Sequence, residues 1–449
     1  MGKKNQKKRN AGPPKPVIQL SQCMIVKNEE KNIERALSWA KGLAFEQIVV
    51  DTGSTDRTVE IAERMGAKVY YFEWINDFSA AKNYAIEQAT GNWIAFLDAD
   101  EYFPREDAKR LLTILKKIHS DTKLREQYHL INCRMLQLDD DGKVTGVDEH
   151  NRVFRNIPPM RYSGKIHEAI RCNRENALWA DNISIYHTGY SVSVYAETDK
   201  AERNISMLRA ELIDRPENLS LKANLAESLR GKARKDGGVD GAASLAEAIA
   251  LYKEVADSDG IIEPWLRKRA HLCTIEHSIS SGVSLDECKA MCLRALALAP
   301  EDLDYGYFYA LVLNRSGDFS TAWDVLQKCE KKYVKLTALH ESQYVTTNIG
   351  SFFKELLIAA EGLGNFEGVV KYATILLIEN KTLHGILGSY IVTLLKHETP
   401  EDDVIKLLAK IYDFNDPQDV LLIARTAKEC GALSIAKKTA EIIKKMIAD

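Results

Sequence analysis

The feature that most limits the fold is a change of hydrophobic period along the chain. Over the first hundred residues short apolar runs alternate with helical stretches; from about residue 200 only helical spacing remains. "VIQLSQCMIV" (17–26), "EQIVVDTGS" (46–54), "AKVYYFEW" and "NWIAFLDAD" read as strands. Between them "NEEKNIERALSWAKG" (28–42), "TDRTVEIAERMG" (55–66) and "DFSAAKNYAIEQATG" (77–91) read as helices. Such alternation predicts a parallel sheet covered by helices on both faces, with ligands bound beyond the carboxyl ends of the strands. A second domain follows, because 449 residues exceed what one core accommodates.

That second region, 200–449, reads as an all-helical repeat. With Leu303 as position 1 of a 34-residue unit, Gly317, Ala322 and Leu326 fall at tetratricopeptide positions, and Pro300 closes the preceding unit with Ala295 before it. Pro216 with Leu225, Ala226 and Leu229 gives a second partial match, and "GKARKDGGVDGAAS" (231–244) reads as a glycine-rich loop. The alternating region is bounded as 17–195. Residues 1–16 carry six Lys or Arg and no acid, and read as a disordered basic tail without the apolar segment of a signal peptide.

Composition excludes several classes. The net charge of −3 gives no case for nucleic-acid binding, and no stretch reaches the roughly 18 apolar residues of a membrane span. Eight cysteines without CxxC or zinc spacing read as reduced residues of a cytoplasmic protein, with Cys288 and Cys292 in a core stripe beside Leu293 and Leu296.

The chemistry concentrates at strand ends. "WIAFLDADEYF" places Asp98, Asp100 and Glu101 at the mouth of an apolar run. If the strand continued, Asp98 and Asp100 would share one face, where like charges repel unless a cation sits between them. Asp51 and Ser54 end the second strand, and Lys27 and Asn28 end the first. "YSGKIHEAI" brings His167 and Glu168 together after Gly164, and "YHTGY" puts His187 at the end of "ISIYH". Each piece has a plainer reading alone: Asp-x-Asp and "DTGSTD" can cap helices, and His187 can be a core histidine. Together on a βα framework they supply a cation site, a diphosphate site and a general base.

The stretches "CMIVKNEEKNIERAL", "IVVDTGSTDRTVEIA", "FSAAKNYAIEQATGNWIAFLDADE" and "YSGKIHEA" resemble family 2 glycosyltransferases of the GT-A fold, a Rossmann-like α/β architecture. With "NDFS", "YHTGY" and a helical tail, the likeness extends to the sublancin-type peptide S-glycosyltransferases. The resemblance implies a UDP-sugar donor, Mn²⁺ or Mg²⁺, and inversion at the anomeric carbon. It implies nucleotide-sugar contacts from Lys27, Asn28, Glu29, Asp51, Ser54, Asp56, Lys82, Asp98, Ala99 and Asp100. Asp98, Asp100 and His187 would form the metal set, with Asp100 the direct ligand. Glu168 would be the base, with His167 as rival. Lys82 stands where an arginine is common, and keeps the charge without the bidentate fork.

The implied acceptor is a peptide or protein side chain, Cys, Ser or Thr, held by the helical half, which could equally serve dimerisation. A cell-surface glycan or lipid-linked acceptor, and a non-catalytic repeat scaffold, are the competing expectations.

Overall fold

The computed structural model describes residues 17–170, 172–189, 200–335 and 344–448. The basic tail and the boundary segment around 190–199, with Tyr190, lie outside the described residues. Compactness divides the chain into one unit ending at Ala248 and a second beginning at Ile249.

The first unit is a mixed, GT-A-like sheet. Strands β1 (Leu20–Val26), β2 (Glu46–Asp51), β3 (Lys68–Tyr71), β4 (Trp93–Phe96), β5 (Glu101–Tyr102), β6 (Leu130–Leu138), β7 (Val144–Arg155) and β10 (Ala177–His187) join in the order β3-β2-β1-β4-β7-β6-β10-β5. A small ladder of β8 (Tyr162–Ser163) and β9 (Ala169–Ile170) stands beside them. The sequence places β1 to β4, and these pair in parallel, Val26 opposite Asp51 and Cys23 opposite Phe96. Beyond β4 the sheet turns antiparallel through β7.

Alternation along β1 shows why the strands are apolar throughout. Cys23 packs with Ile48, Val50 and Phe96 against Ala85 and Ile86 of α3 (Phe78–Glu87). Its neighbour Met24 packs with Val49 against Ile33 and Leu37 of α1 (Ile33–Ser38) and Ile61 of α2 (Thr58–Arg64). Both faces are covered, so neither parity can be polar. The helix α4 (Arg105–Ser120) contributes Leu111 and Leu115 to a third cluster with Trp93, Ile131 and Ile185. The short helix α5 (Thr122–Gln127) then leads into β6.

The first unit also contains α6 (Lys200–Asp214) and α7 (Leu219–Asp236). The boundary at Ala248 falls inside α8 (Gly238–Asp257). The expected loop at 231–244 is corrected here: α7 runs to Asp236, and only Gly237, at φ 61°, separates it from α8, which opens on Gly238 at φ 52°. Two adjacent glycines accept positive φ without strain, so no longer loop is needed there.

The second unit is helical. Helices Leu303–Ser316 and Phe319–Tyr333 are joined through Gly317, which takes the left-handed conformation at φ 81°, and Asp318, whose side chain caps Thr321 N at 3.2 Å. The device recurs at Gly364 and Asn365 between Ile349–Leu363 and Phe366–Glu379. Ala322 and Leu326, at the repeat positions, are fully buried in a core shared by Phe352, Tyr372 and Leu377. Repeating helix pairs bury their stripes only by stacking on neighbours. Cys288 and Cys292 lie in this core, whereas Leu293 is exposed. Among the described residues all cysteines are free, and no helix is long and apolar enough to cross a membrane.

Candidate active site

The loops after β1 and β2 lace together at the carboxyl edge of the sheet. Asn28, at φ 57°, donates its N–H to Ser54 Oγ at 2.9 Å and accepts from Thr55 N at 2.8 Å. Glu29 N bonds Thr58 Oγ1 at 2.7 Å and Glu30 N bonds Asp56 Oδ2 at 3.1 Å. Asp51, 4% exposed, accepts from the N–H groups of Gly53 and Ser54. Burial pushes Asp56 up, but hydrogen bonds from Thr58 and Glu30 outweigh it and hold the carboxyl below its usual range. Lys27 is exposed beside them.

The acidic run does not continue as a strand. β4 stops at Phe96, and residues 99 and 100 form a turn. Asp98 and Asp100 therefore do not share a face, contrary to the alternation expected from an extended run. Buried Ala99 between them packs with Met24 and Val26.

Asp98 meets two cations. Lys82 Nζ lies 3.1 Å from its Oδ1 and Arg152 Nη2 donates to its Oδ2 at 2.9 Å. Lys82 also reaches Glu168 Oε1 at 2.7 Å, over the rings of Phe96 and Tyr162. Burial works against the ammonium, yet Asp98 and Glu168 outweigh it and raise its pKa. Asp98 is held well below the usual carboxylate range by Lys82 and Arg152, against the upward push of burial. Lys82 is thus buried between carboxylates. The loop carrying Glu168 is anchored on α3, with Phe78 N bonding Lys165 O at 2.8 Å and Ser79 Oγ bonding Gly164 O at 2.5 Å. From α6, Glu211 pairs with Lys165 at 3.2 Å and Arg203 lies over the Phe78 ring. His167 takes φ 52°, unusual for a residue with a Cβ. Desolvation lowers its pKa against the pull of Glu168, which keeps the ring neutral near pH 7.

Asp100 meets His187. β10 returns beside β5, setting His187 opposite Glu101, and His187 Nε2 lies 3.4 Å from Asp100 Oδ2. Candidate donor atoms of Asp100, Glu101 and His187 lie within 4.8 Å of one another. Gln137 Oε1 accepts from His187 Nδ1 at 2.5 Å, and Gln137 Nε2 in turn bonds Asp148 at 2.9 Å. That chain directs Nε2 toward Asp100, as a metal-binding imidazole requires. Burial lowers the His187 pKa, but the hydrogen bond and charge of Asp100 outweigh it and raise it. A Cβ on Gly189 would stand 2.0 Å from Asp100 Oδ2 and 2.6 Å from His187 Nε2, so only glycine leaves this cradle open. Burial and the neighbouring Asp98 and Asp100 push the Glu101 carboxyl up, while Arg152 opposes them.

The donor set decides whether a cation fits. Lys82 pairs with Asp98 and Glu168, Arg152 pairs with Asp98 and Glu101, and the Arg203 guanidinium also acts on Glu168. Two carboxylates, Asp100 and Glu101, with the His187 imidazole would suit Mn²⁺.

Residues 21–122 match the family model for glycosyl transferase family 2. The chain carries a family 2 glycosyltransferase domain. A TPR repeat-containing protein of Synechococcus elongatus is 33% identical over 219 residues, 46% of this chain and 52% of that protein. The SPbeta prophage-derived glycosyltransferase SunS of Bacillus subtilis is 28% identical over 257 residues, 56% of this chain and 57% of that protein. The chain thus spans about half the length of these curated relatives. The S. aureus TarS 1–349 structure aligns with 67% of this chain and 92% of its own at 17% identity and a TM-score of 0.31.

Among the residues of this constellation, the sequence does not single out Arg152, Gln137 or Gly189, and it shows Glu101 only as a charge. "HNRVF" alternates as a strand, and an arginine at the inward parity is the signal that could have found Arg152.

Proposed function

We propose that the protein transfers a sugar from a UDP-sugar, with inversion, to a peptide or protein side chain, and that Asp100, Glu101 and His187 hold a divalent cation. The observation that carries this reading is the chain of contacts from Glu168 through Lys82, Asp98 and Arg152 to Glu101, next to the Asp100–His187 pair. It links a candidate base to a candidate metal centre. When bound, Mn²⁺ or Mg²⁺ would offset the charge that develops on the departing diphosphate. Asp51, with the laced loop of Asn28, Ser54 and Asp56, would take the nucleoside. Asp98, already fixed by two cations, would face the ribose and sugar, and Glu168 would accept the proton of the attacking group from the opposite side. Neutral His167 is its neighbour in this role.

A polypeptide acceptor is supported by a separate feature of the second unit. A cleft of about 910 Å³ runs between Ile349–Leu363, the end of Phe366–Glu379 and the start of His384–Lys396. Leu357, Ile358 and Leu383 line it together with Glu361, Glu379 and Lys354, a mixture suited to an extended peptide. A Cys, Ser or Thr side chain offers few contacts, so remote binding would supply the affinity.

The test is intact-mass analysis of Cys-, Ser- and Thr-containing peptides after incubation with a panel of UDP-sugars. A hexose- or N-acetylhexosamine-sized gain on one residue type is the expected result. UDP release with no peptide gain, but with transfer to a lipid-linked or glycan acceptor, would replace the peptide reading.

A further inference from the structure

Beside the Glu168 loop stands a guanidinium with no carboxylate at ion-pair distance among the described residues. Arg203 lies on α6, which meets that loop through the Lys165–Glu211 pair at 3.2 Å. The neighbouring cations are all paired: Lys82 with Asp98 and Glu168, Lys165 with Glu211, Lys232 with Glu202 and Asp236. Arg203 makes only two long hydrogen bonds, at 3.3 and 3.4 Å, both to Asn204 Oδ1. Its Cζ lies 5.1 Å from the centre of the Phe78 ring. A guanidinium held over an aromatic face keeps its N–H edge for a planar anion. The residue is exposed, yet lost solvation around the guanidinium lowers its pKa, and Glu168 restores this only in part. The loop between β3 and α3 adds apolar surface. Trp74 packs edge-on against Phe78, 4.7 Å between ring centres, and donates its indole N–H to Asn76 Oδ1 at 2.9 Å. Next to it in the chain, Ile75 is 58% exposed.

We infer that Arg203, with the shelf of Trp74 and Phe78, forms an acceptor subsite that takes an acidic side chain flanking the residue that receives the sugar. The inference rests on the proposal that the acceptor is a polypeptide and Glu168 its base. In an inverting transfer the base and the departing diphosphate lie on opposite faces of the sugar, so a cation beside the base meets the acceptor and not the leaving group. A peptide supplies what this surface can hold: a carboxylate for the guanidinium edge and apolar bulk for the aromatic shelf. An acidic residue arriving there would be repelled by Glu168, and Arg203, which acts on Glu168, offsets that repulsion. The first helix after the sheet is thereby tied to the choice of acceptor.

The experiment uses the full chain as wild type, Arg203→Gln and Arg203→Glu, with a panel of UDP-sugars. The acceptors are peptides identical except for Glu, Gln or Lys on both sides of a single Cys, Ser or Thr, and intact mass gives kcat/KM for each. Wild type should favour the Glu peptide over the Gln peptide by about tenfold, the worth of one charge-assisted hydrogen bond. Arg203→Gln should shrink that ratio to within about twofold, and Arg203→Glu should favour the Lys peptide. A bracing role for Arg203, or one exerted through the charge of Glu168, lowers every peptide in proportion and leaves the ratio at its wild-type value, which overturns the inference. A wild type that glycosylates the peptides without distinguishing Glu from Gln overturns the subsite and leaves the polypeptide reading standing. UDP release with no gain on any peptide overturns both. Thermal melts check the fold of the variants; where one melts early the other decides, and where both do, a wild-type preference for Glu supports the inference and its absence overturns it.

Discussion

Replacing Lys82 by methionine removes one charge from the centre of the ion-pair chain while keeping the volume of the stem. Lys82 is 2% exposed, and its two partners differ in what they lose. Asp98 keeps Arg152 at 2.9 Å and has a side chain 36% exposed, so solvent and the guanidinium continue to stabilise it. Glu168 has a side chain only 13% exposed and loses its contact at 2.7 Å. Orphaning one buried carboxylate costs about 3 kcal/mol, the lower end of the range for broken buried pairs, with little added for Asp98. The assay is urea unfolding at pH 7.5 of wild type, Lys82→Met, Glu168→Gln and the double variant. The two partners touch, so their costs should not add. The double variant should recover about 2 kcal/mol relative to the sum of the single losses. A Lys82→Met cost below about 1 kcal/mol, or additivity within about 0.5 kcal/mol, would refute the view that Lys82 holds the two carboxylates together.

Glu46 offers a stability test away from the site. Burial pushes its carboxyl up, but bonds from Lys68, Thr90 and Ser21 more than offset this and lower its pKa from 4.5 to about 2. A depressed folded-state value means stability fully present above pH 4.5 and lost as pH falls toward 2. Glu46→Gln should therefore cost about 3 kcal/mol at pH 7 and about 2 kcal/mol at pH 3.5 by denaturant melts, and an equal cost at both would contradict the assignment. Gly189→Ala, whose methyl would collide with Asp100 and His187, should lower Mn²⁺ affinity by at least about tenfold with unchanged far-UV circular dichroism. Wild-type affinity would show that the cradle is not the metal site.

What the sequence conveyed, and what it withheld, follows from the range of the interactions. Strands β1 to β4 and their helices were legible because both sheet faces are covered by neighbours close in sequence, as Cys23 and Met24 show on opposite sides. His187 was legible as the end of "ISIYH", and β10 does end there. The acidic run misled because alternation presumes an extended chain, and β4 stops at Phe96. Whether Asp98 would face a metal or a cation depended on Arg152, distant in sequence on β7. The loop expected at 231–244 gave the glycines there too much weight. Lys232 pairs with Glu202 and Asp236, and only Gly237 interrupts the helical stretch. Propensity there yields to the packing of α6 on α7.

The most direct test of the metal centre is UDP release from a panel of UDP-sugars by wild type and Asp100→Asn, each with Mn²⁺ and with EDTA. Wild type with Mn²⁺ should release UDP from at least one donor, and both EDTA and Asp100→Asn should abolish that release while the variant retains the wild-type fold. Release that persists in EDTA, or in Asp100→Asn at the wild-type rate, would contradict the metal centre assembled from Asp100, Glu101 and His187.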